Sequence, residues 1–174
     1  SLWRCTVRVM RLGSMSNAIN AGTIDEVVAE AQAAVELGAH TFWSSQIFGH
    51  DALTVLAIVG REVPGIELGT AVVPTYPRHP MMLAQQALST QAAINSRGDA
   101  GLCLGIGLSH QIVVESMWGL SYAKPVRHLR EYLSVLMPLL EGKPMKFEGE
   151  EYRVQGAVNV AGSSRPSVVV AALG

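Results

Sequence analysis

A β-prone run followed by a capped helix recurs four times in succession, and this repeat limits the fold more tightly than any other feature of the chain. The first run, Thr6 to Leu12, precedes a small, polar stretch from Gly13 to Gly22 that reads as a loop. Thr23-Ile24-Asp25-Glu26 is then a capping box, in which the threonine oxygen accepts an amide hydrogen bond and the glutamate reaches back to the cap. Val27, Val28, Ala31, Ala34, Val35 and Leu37 supply the apolar stripe of the helix it opens, and Gly38 suits the left-handed residue that ends one. Thr41 to Ser44 is the second run, and Asp51 caps a helix from Ala52 to about Arg61. Ile66 to Val73 is the third, with a loop from Pro74 to His79. Pro80 follows at a first helical turn, where its missing N–H costs nothing, and the helix continues to Asn95. Gly101 to Ile106 is the fourth run, and Ser109 is placed to cap a helix bearing Ile112, Val113 and Met117. Units of this kind imply parallel strands joined by right-handed crossovers, so the fold class is α/β, either a doubly wound sheet or a barrel.

Beyond Trp118 the pattern changes. Pro125 opens an amphipathic helix that runs to Leu140 and closes at Gly142. Residues 143–166 form an excursion in which Phe147 to Val154 reads as a small hairpin or an extended segment. Ser167 to Gly174 is almost wholly apolar, as expected of a fifth, buried parallel strand. Residues 1–174 are read as part of one domain.

Composition narrows the function classes. The chain is 49% apolar and 16% charged with a net charge of −1, so no basic field gathers nucleic acid or an anionic membrane. No apolar stretch reaches the roughly 20 residues of a spanning helix, and no signal-peptide pattern opens the chain. The expected compartment is the cytoplasm, where Cys5 and Cys103 stay unpaired and Cys103 serves as a small core residue. No His, Cys or carboxylate set has metal-ligand spacing, and no serine sits in a nucleophile elbow. Gly105-Ile106-Gly107 lacks the third glycine and the downstream acid of a dinucleotide fingerprint and reads as a strand end.

The stretch from Leu68 to Pro80, continuing through Leu83-Ala84-Gln85-Gln86-Ala87, resembles the luciferase-like monooxygenase superfamily, specifically its coenzyme F420-dependent branch. Leu104 to His110, Arg127 to Leu133, Phe147 to Tyr152 and Val170 to Gly174 agree with that family in order and spacing. The likeness covers about residues 20–174 and rests on the ordered set. It implies a TIM (β/α)8 barrel whose cofactor lies across the C-terminal strand ends, and a complete barrel needs about 250 residues. The chain therefore reads as the N-terminal portion of a barrel lacking roughly three strands of the eight. Expressed alone, such a portion is expected to bind cofactor poorly and to aggregate through its open edge.

The resemblance also assigns roles. It implies a non-proline cis peptide at Ala71-Val72, forming a bulge that backs the deazaflavin ring. Leu108 and Ser109 would border the cofactor, with Ser109 near its ring or its phosphate-bearing tail, and Leu173-Gly174 would open a phosphate-binding turn. Ser45-Gln46 stands where sugar-phosphate dehydrogenases of the superfamily carry an aspartate-histidine pair. Glutamine cannot be a general base, so this departure favours a reductase over a sugar-phosphate oxidase. His110 stands where those dehydrogenases carry a glutamate acid and is the histidine best placed to exchange a proton near neutrality.

Other residues carry less. His128, between Arg127 and Arg130, reads as part of a solvated helix face. Arg78 and His79 flank prolines on an active-face loop, where Arg78 could meet an anionic cofactor tail. The leading expectation is an F420-dependent oxidoreductase that moves a hydride between deazaflavin C5 and a small organic substrate, homodimeric when full length. The alternatives are an FMN-dependent monooxygenase, a non-catalytic cofactor-binding or dimerising protein, and an inactive fragment.

Overall fold

A computed structural model describes residues 10–98 and 100–172. Strands β1 (Gly13–Met15), β2 (Thr41–Ser44) and β3 (Glu67–Thr70) alternate with helices α1 (Ile24–Glu36) and α2 (Ala52–Glu62). A two-residue strand β4 (Val73–Pro74), helix α3 (Pro80–Asn95) and strand β5 (Leu102–Gly107) follow. Helix α4 (Pro125–Leu140), strands β6 (Met145–Glu148) and β7 (Arg153–Gly156), and strand β8 (Ser167–Val170) complete the order.

The local signals act as read. Thr23 and Glu26 form the complete capping box of α1, Gly38 follows that helix at φ 74°, and Asp51 caps α2 by accepting from the Thr54 N–H at 2.9 Å. Pro80 begins α3, Pro125 begins α4, and Gly142 closes α4 at φ 69°.

All pairings in the main sheet are parallel: β1 with β2, β2 with β3, and β5 with β3, β4 and β8. Strands β3 and β4 are two halves of one strand. Gly69 pairs with Cys103 but Val73 pairs with Ile106, so one extra residue is inserted on the β3–β4 side, which is a β-bulge. Taking the halves together, five strands follow one another across the sheet in chain order. A doubly wound sheet reverses its order at a switch point, so this progression is that of a barrel. The barrel is not closed among the described residues: β1 pairs only with β2, and β8 only with β5. Helix α1 packs on α2, α2 on α3, and α3 on α4. Between helices and sheet lies one core that includes Phe42, Leu53, Leu56, Leu68, Leu83, Leu104 and Leu136. Cys103 is buried, as expected of a small core residue, while Cys5 lies outside the described residues.

Five expectations are corrected. The fifth strand, β8, is present but not buried: Val169 and Val170 are exposed, because β8 is an edge of the sheet among the described residues. The first described strand is Gly13–Met15, inside the stretch read as loop, while Met10 and Leu12 are exposed; residues 1–9 lie outside the described residues. The strand exists because its partner accepts it there, Gly13 opposite Thr41 and Met15 opposite Trp43. Val35 and Leu37 of the expected α1 stripe are exposed, Leu37 because it stands beyond the last helical turn. His128 is not on a solvated face but is 6% exposed, packed among tyrosines. Ser109 does not cap a helix: its φ of 65° departs from the extended cap conformation, and the helical bonds start from the His110 carbonyl. That segment is a π-helical turn, Val113–Met117. The antiparallel β6–β7 pair settles the excursion as a hairpin.

Candidate active site

Because the strands are parallel, the segments that leave their C-terminal ends meet on one side of the sheet. A cavity of about 310 Å³ opens there, lined by Ser45, Gln46, Ile47, Phe48, Ala71, Val72, Pro74, Ser109, His110, Val113 and Trp118. That size is at the lower end of small-molecule sites. It draws on the ends of β2, β3–β4 and β5, the geometry from which barrel enzymes build active sites.

The floor is the bulge. The Ala71–Val72 peptide bond is cis, at the position the resemblance implies. Thr70 fills the gap the bulge leaves in the ladder: its hydroxyl donates to the Gly105 carbonyl and accepts from the Gly105 N–H, each at 2.8 Å. Gly105 is obligatory at this junction, since a Cβ there would lie 1.9 Å from the Thr70 carbonyl oxygen. Thr70 is fully buried and satisfies both backbone groups of Gly105 where regular pairing is interrupted. Its part in the site was missed, although a threonine followed by small residues at a strand end is the kind of signal that marks a bulge.

Of the nine residues expected in the site, six line the cavity: Ser45, Gln46, Ala71, Val72, Ser109 and His110. Leu108 is half-buried and not among the lining residues. Leu173 and Gly174 lie outside the described residues. Ser45 exchanges hydrogen bonds with the Asn20 side chain, its hydroxyl accepting at 3.1 Å. The Gln46 carbonyl oxygen accepts from the Ala52 N–H at 2.7 Å, which helps to satisfy the start of α2 and leaves the amide NH2 for other partners. His110 is exposed at the rim. Sequence reasoning missed the apolar mouth, where Ile47 and Phe48 are 59% and 64% exposed. Exposed large apolar side chains beside a cavity are a recognisable surface signal, but only once exposure is known.

Arg78 does not face the cavity as a free cation. It pairs with Asp51, which also accepts from the Gln86 amide at 2.9 Å and so ties the loop after β4 to the start of α2. Among the described residues no cluster of His, Cys and carboxylates could hold a metal ion, and no helix is long and apolar enough to cross a membrane.

The cavity combines apolar walls with a small polar set. Ala71, Val72, Ile47, Phe48, Val113 and Trp118 give it apolar walls, and Ser45, Gln46, Ser109 and His110 give it a few hydrogen-bonding groups.

Known proteins share this fold. A Mycobacterium tuberculosis protein provisionally named a coenzyme F420-dependent oxidoreductase is 32% identical over 130 residues, covering 74% of this chain and 35% of the relative. The chain thus spans about a third of that relative's length. The coenzyme F420-dependent tetrahydromethanopterin reductase of Methanopyrus kandleri superposes with a TM-score of 0.76 at 19% identity, over 94% of this chain and 50% of that one. The oxygenating constituent of 3,6-diketocamphane monooxygenase from Pseudomonas putida, in complex with FMN, superposes with a TM-score of 0.74 at 16% identity, over 92% and 51%. Both likenesses establish a common fold. The family model for luciferase-like monooxygenases matches residues 6–174, and the chain belongs to that family.

Proposed function

We propose that this chain carries the cofactor platform of a coenzyme F420-dependent oxidoreductase acting on a small organic substrate. The observation that carries the reading is the convergence of Ser45, Gln46, Ala71, Val72, Ser109 and His110 on one cavity at the C-terminal strand ends. The relative named for F420 supports the choice of cofactor. When bound, the deazaflavin supplies hydride chemistry at its C5 position.

The chain's own residues position, shield and exchange protons. Ala71 and Val72 present a flat apolar surface to one face of a ring. Ser109 and the free NH2 of Gln46 offer hydrogen bonds at its edge. Ile47, Phe48 and Trp118 keep water from the reacting face, which strengthens each polar contact within. His110 holds or accepts a proton at an imidazole nitrogen. Gln46 has no basic atom, and its oxygen is already taken by Ala52.

A second reading, an FMN-dependent monooxygenase using the same platform, is supported by the family's monooxygenase description and by the neighbour in complex with FMN. Fluorescence titration of the natural full-length protein with F420 and with FMN separates the two. Micromolar affinity for F420 with little for FMN is the expected result, the reverse selects the monooxygenase, and affinity for neither removes the cofactor reading. Affinity without turnover over a broad substrate panel selects a binding protein.

A further inference from the structure

Under α4, away from the cavity lining, three aromatic side chains surround one imidazole. His128 Nε2 is 3.0 Å from Thr75 Oγ1, and His128 Nδ1 is 3.3 Å from the Tyr152 hydroxyl. The Tyr76 ring stacks on the imidazole at 3.9 Å with an interplanar angle of 3°. Tyr132 packs on it from the same helix, at 5.7 Å. The cluster reaches the cavity by two routes. Thr75 follows Pro74 of the cavity wall, and its N–H also donates to the Gly107 carbonyl at 2.9 Å. Tyr76 stacks on Tyr122 at 5.3 Å, and the Tyr122 hydroxyl donates to the Ser109 carbonyl at 3.5 Å.

Neither route needs the imidazole for chemistry. Both need it at a fixed place, because a ring bonded at each nitrogen and stacked on one face can neither rotate nor withdraw. The two hydroxyls suit a neutral ring, one donating to its bare nitrogen and the other accepting its N–H. A buried polar network satisfied in this way fixes the elements it joins. Here those are α4, the hairpin that carries Tyr152, and the loop after β4.

We propose that His128 is a positioning residue for the cavity, setting Pro74 through Thr75 and the Ser109–His110 turn through the Tyr76–Tyr122 stack. The proposal rests on the cofactor reading only for its functional consequence, and its first test needs no cofactor. Hydrogen exchange in the natural full-length protein reads the amides of Val113 and Val114, which donate to the His110 carbonyl at 2.9 and 3.0 Å. His128→Phe keeps a stacking ring and loses both hydrogen bonds. Thr75→Val, a smaller change, cuts one link and serves where His128→Phe does not fold. Either variant is expected to speed exchange at those two amides about 10-fold, the equivalent of one hydrogen bond. A core variant of α1, Val28→Ala, loses stability without touching the network and is expected to leave them unchanged. Unchanged exchange in the His128 and Thr75 variants, or an equal rise in Val28→Ala, overturns the proposal.

The second test measures affinity for whichever of F420 and FMN the protein binds. His128→Phe and Tyr122→Leu should each weaken it about 10-fold, and the double variant by about the same rather than about 100-fold, since they act along one line. His128→Gln, whose amide can still reach Thr75, should recover most of the loss. Multiplicative effects, or no recovery, count against the line of contacts. If the wild-type protein binds neither cofactor, the cofactor reading fails while the exchange result still decides the role of His128.

Discussion

His110 stands exposed at the rim of the cavity on a turn that starts from a left-handed serine, whereas His128 is 6% exposed and held by two hydroxyls and a stacked ring. The first region stands open to whatever enters; the second engages both nitrogens of its imidazole, while the Tyr76 and Tyr132 hydroxyls around it are buried without a partner among the described residues. Enclosure also governs how the second region titrates. Burial lowers the His128 pKa from its ordinary 6.5 to about 4, against a smaller opposing pull from Glu131, and burial raises Tyr76 to about 12. Tyr152 and Tyr132 are raised too, in each case chiefly by burial. A perturbed titration here marks enclosure, and the histidine we propose for chemistry is the accessible one. Displaced pKa values point to functional sites only when the group also faces a cavity it can act in.

The sharpest way to break this contrast is His110→Ala. If the exposed imidazole transfers protons, turnover should drop roughly 10²–10⁴-fold with cofactor affinity and thermal stability little changed. Steady-state kinetics across pH 5 to 9 would read it, and wild-type turnover with an unaltered profile would leave His110 an ordinary loop residue. Next is Gly105→Val at the floor of the cavity, where the new side chain meets the Thr70 carbonyl. A loss of about 3 kcal/mol or more in urea unfolding is expected, against roughly 0.5 kcal/mol for Gly101→Ala, whose Cβ would meet nothing within 4 Å among the described residues.

The enclosed region predicts a pH dependence whose sign follows from its lowered pKa. Between pH 6.5 and about 4 the unfolded chain binds a proton at His128 that the folded chain does not, so stability falls as pH falls through that window. The slope is at most about 1.4 kcal/mol per pH unit. The groups around the imidazole are Tyr76 on the loop, Glu131 and Tyr132 on α4, Tyr152 and Glu151 by the hairpin, and Lys124 ahead of α4. Unfolding midpoints measured from pH 7 to pH 4 should flatten in His128→Gln, and an equal slope in both proteins would refute the assignment. Thr70→Val should cost about 1–3 kcal/mol by leaving two buried groups of Gly105 unpaired. The smallest effect is expected of Tyr132→Phe. The Tyr132 hydroxyl is buried with no partner among the described residues, so its removal should change stability by no more than about 1 kcal/mol, and in the stabilising direction.

How far the sequence could be read depended on where each signal lies. The capping box at Thr23, the cap at Asp51, Pro80 and Gly142 act within one turn of chain, and each was legible. Strand β1 was not. Gly-Ser-Met has little strand propensity, and Gly13 is needed because a Cβ there would lie 2.9 Å from Trp43 Nε1, a contact made by a distant residue. His128 was misread because Arg127 and Arg130 flank it. Its spacing from Tyr132, Val135, Leu136 and Leu139 follows the helical period of the buried stripe, so that signal was present but outweighed by neighbouring charge. At the cavity, the residues that end strands were legible, whereas Ile47, Phe48 and Trp118 depend on loop paths that no periodicity encodes.

The pairing of β5 with β8 bears on how the chain folds. Strands β2 and β3 meet across a single intervening helix, but Cys103 reaches Ser167 only after α4 and the whole hairpin have been threaded between them. Closing so long a loop adds little to its equilibrium cost, since each doubling of length adds about 0.6 kcal/mol. Contacts of large sequence separation chiefly slow the search. The early strand-and-helix units should therefore assemble first and β8 dock late, which makes the hairpin segment a place where insertions change folding rate more than final stability.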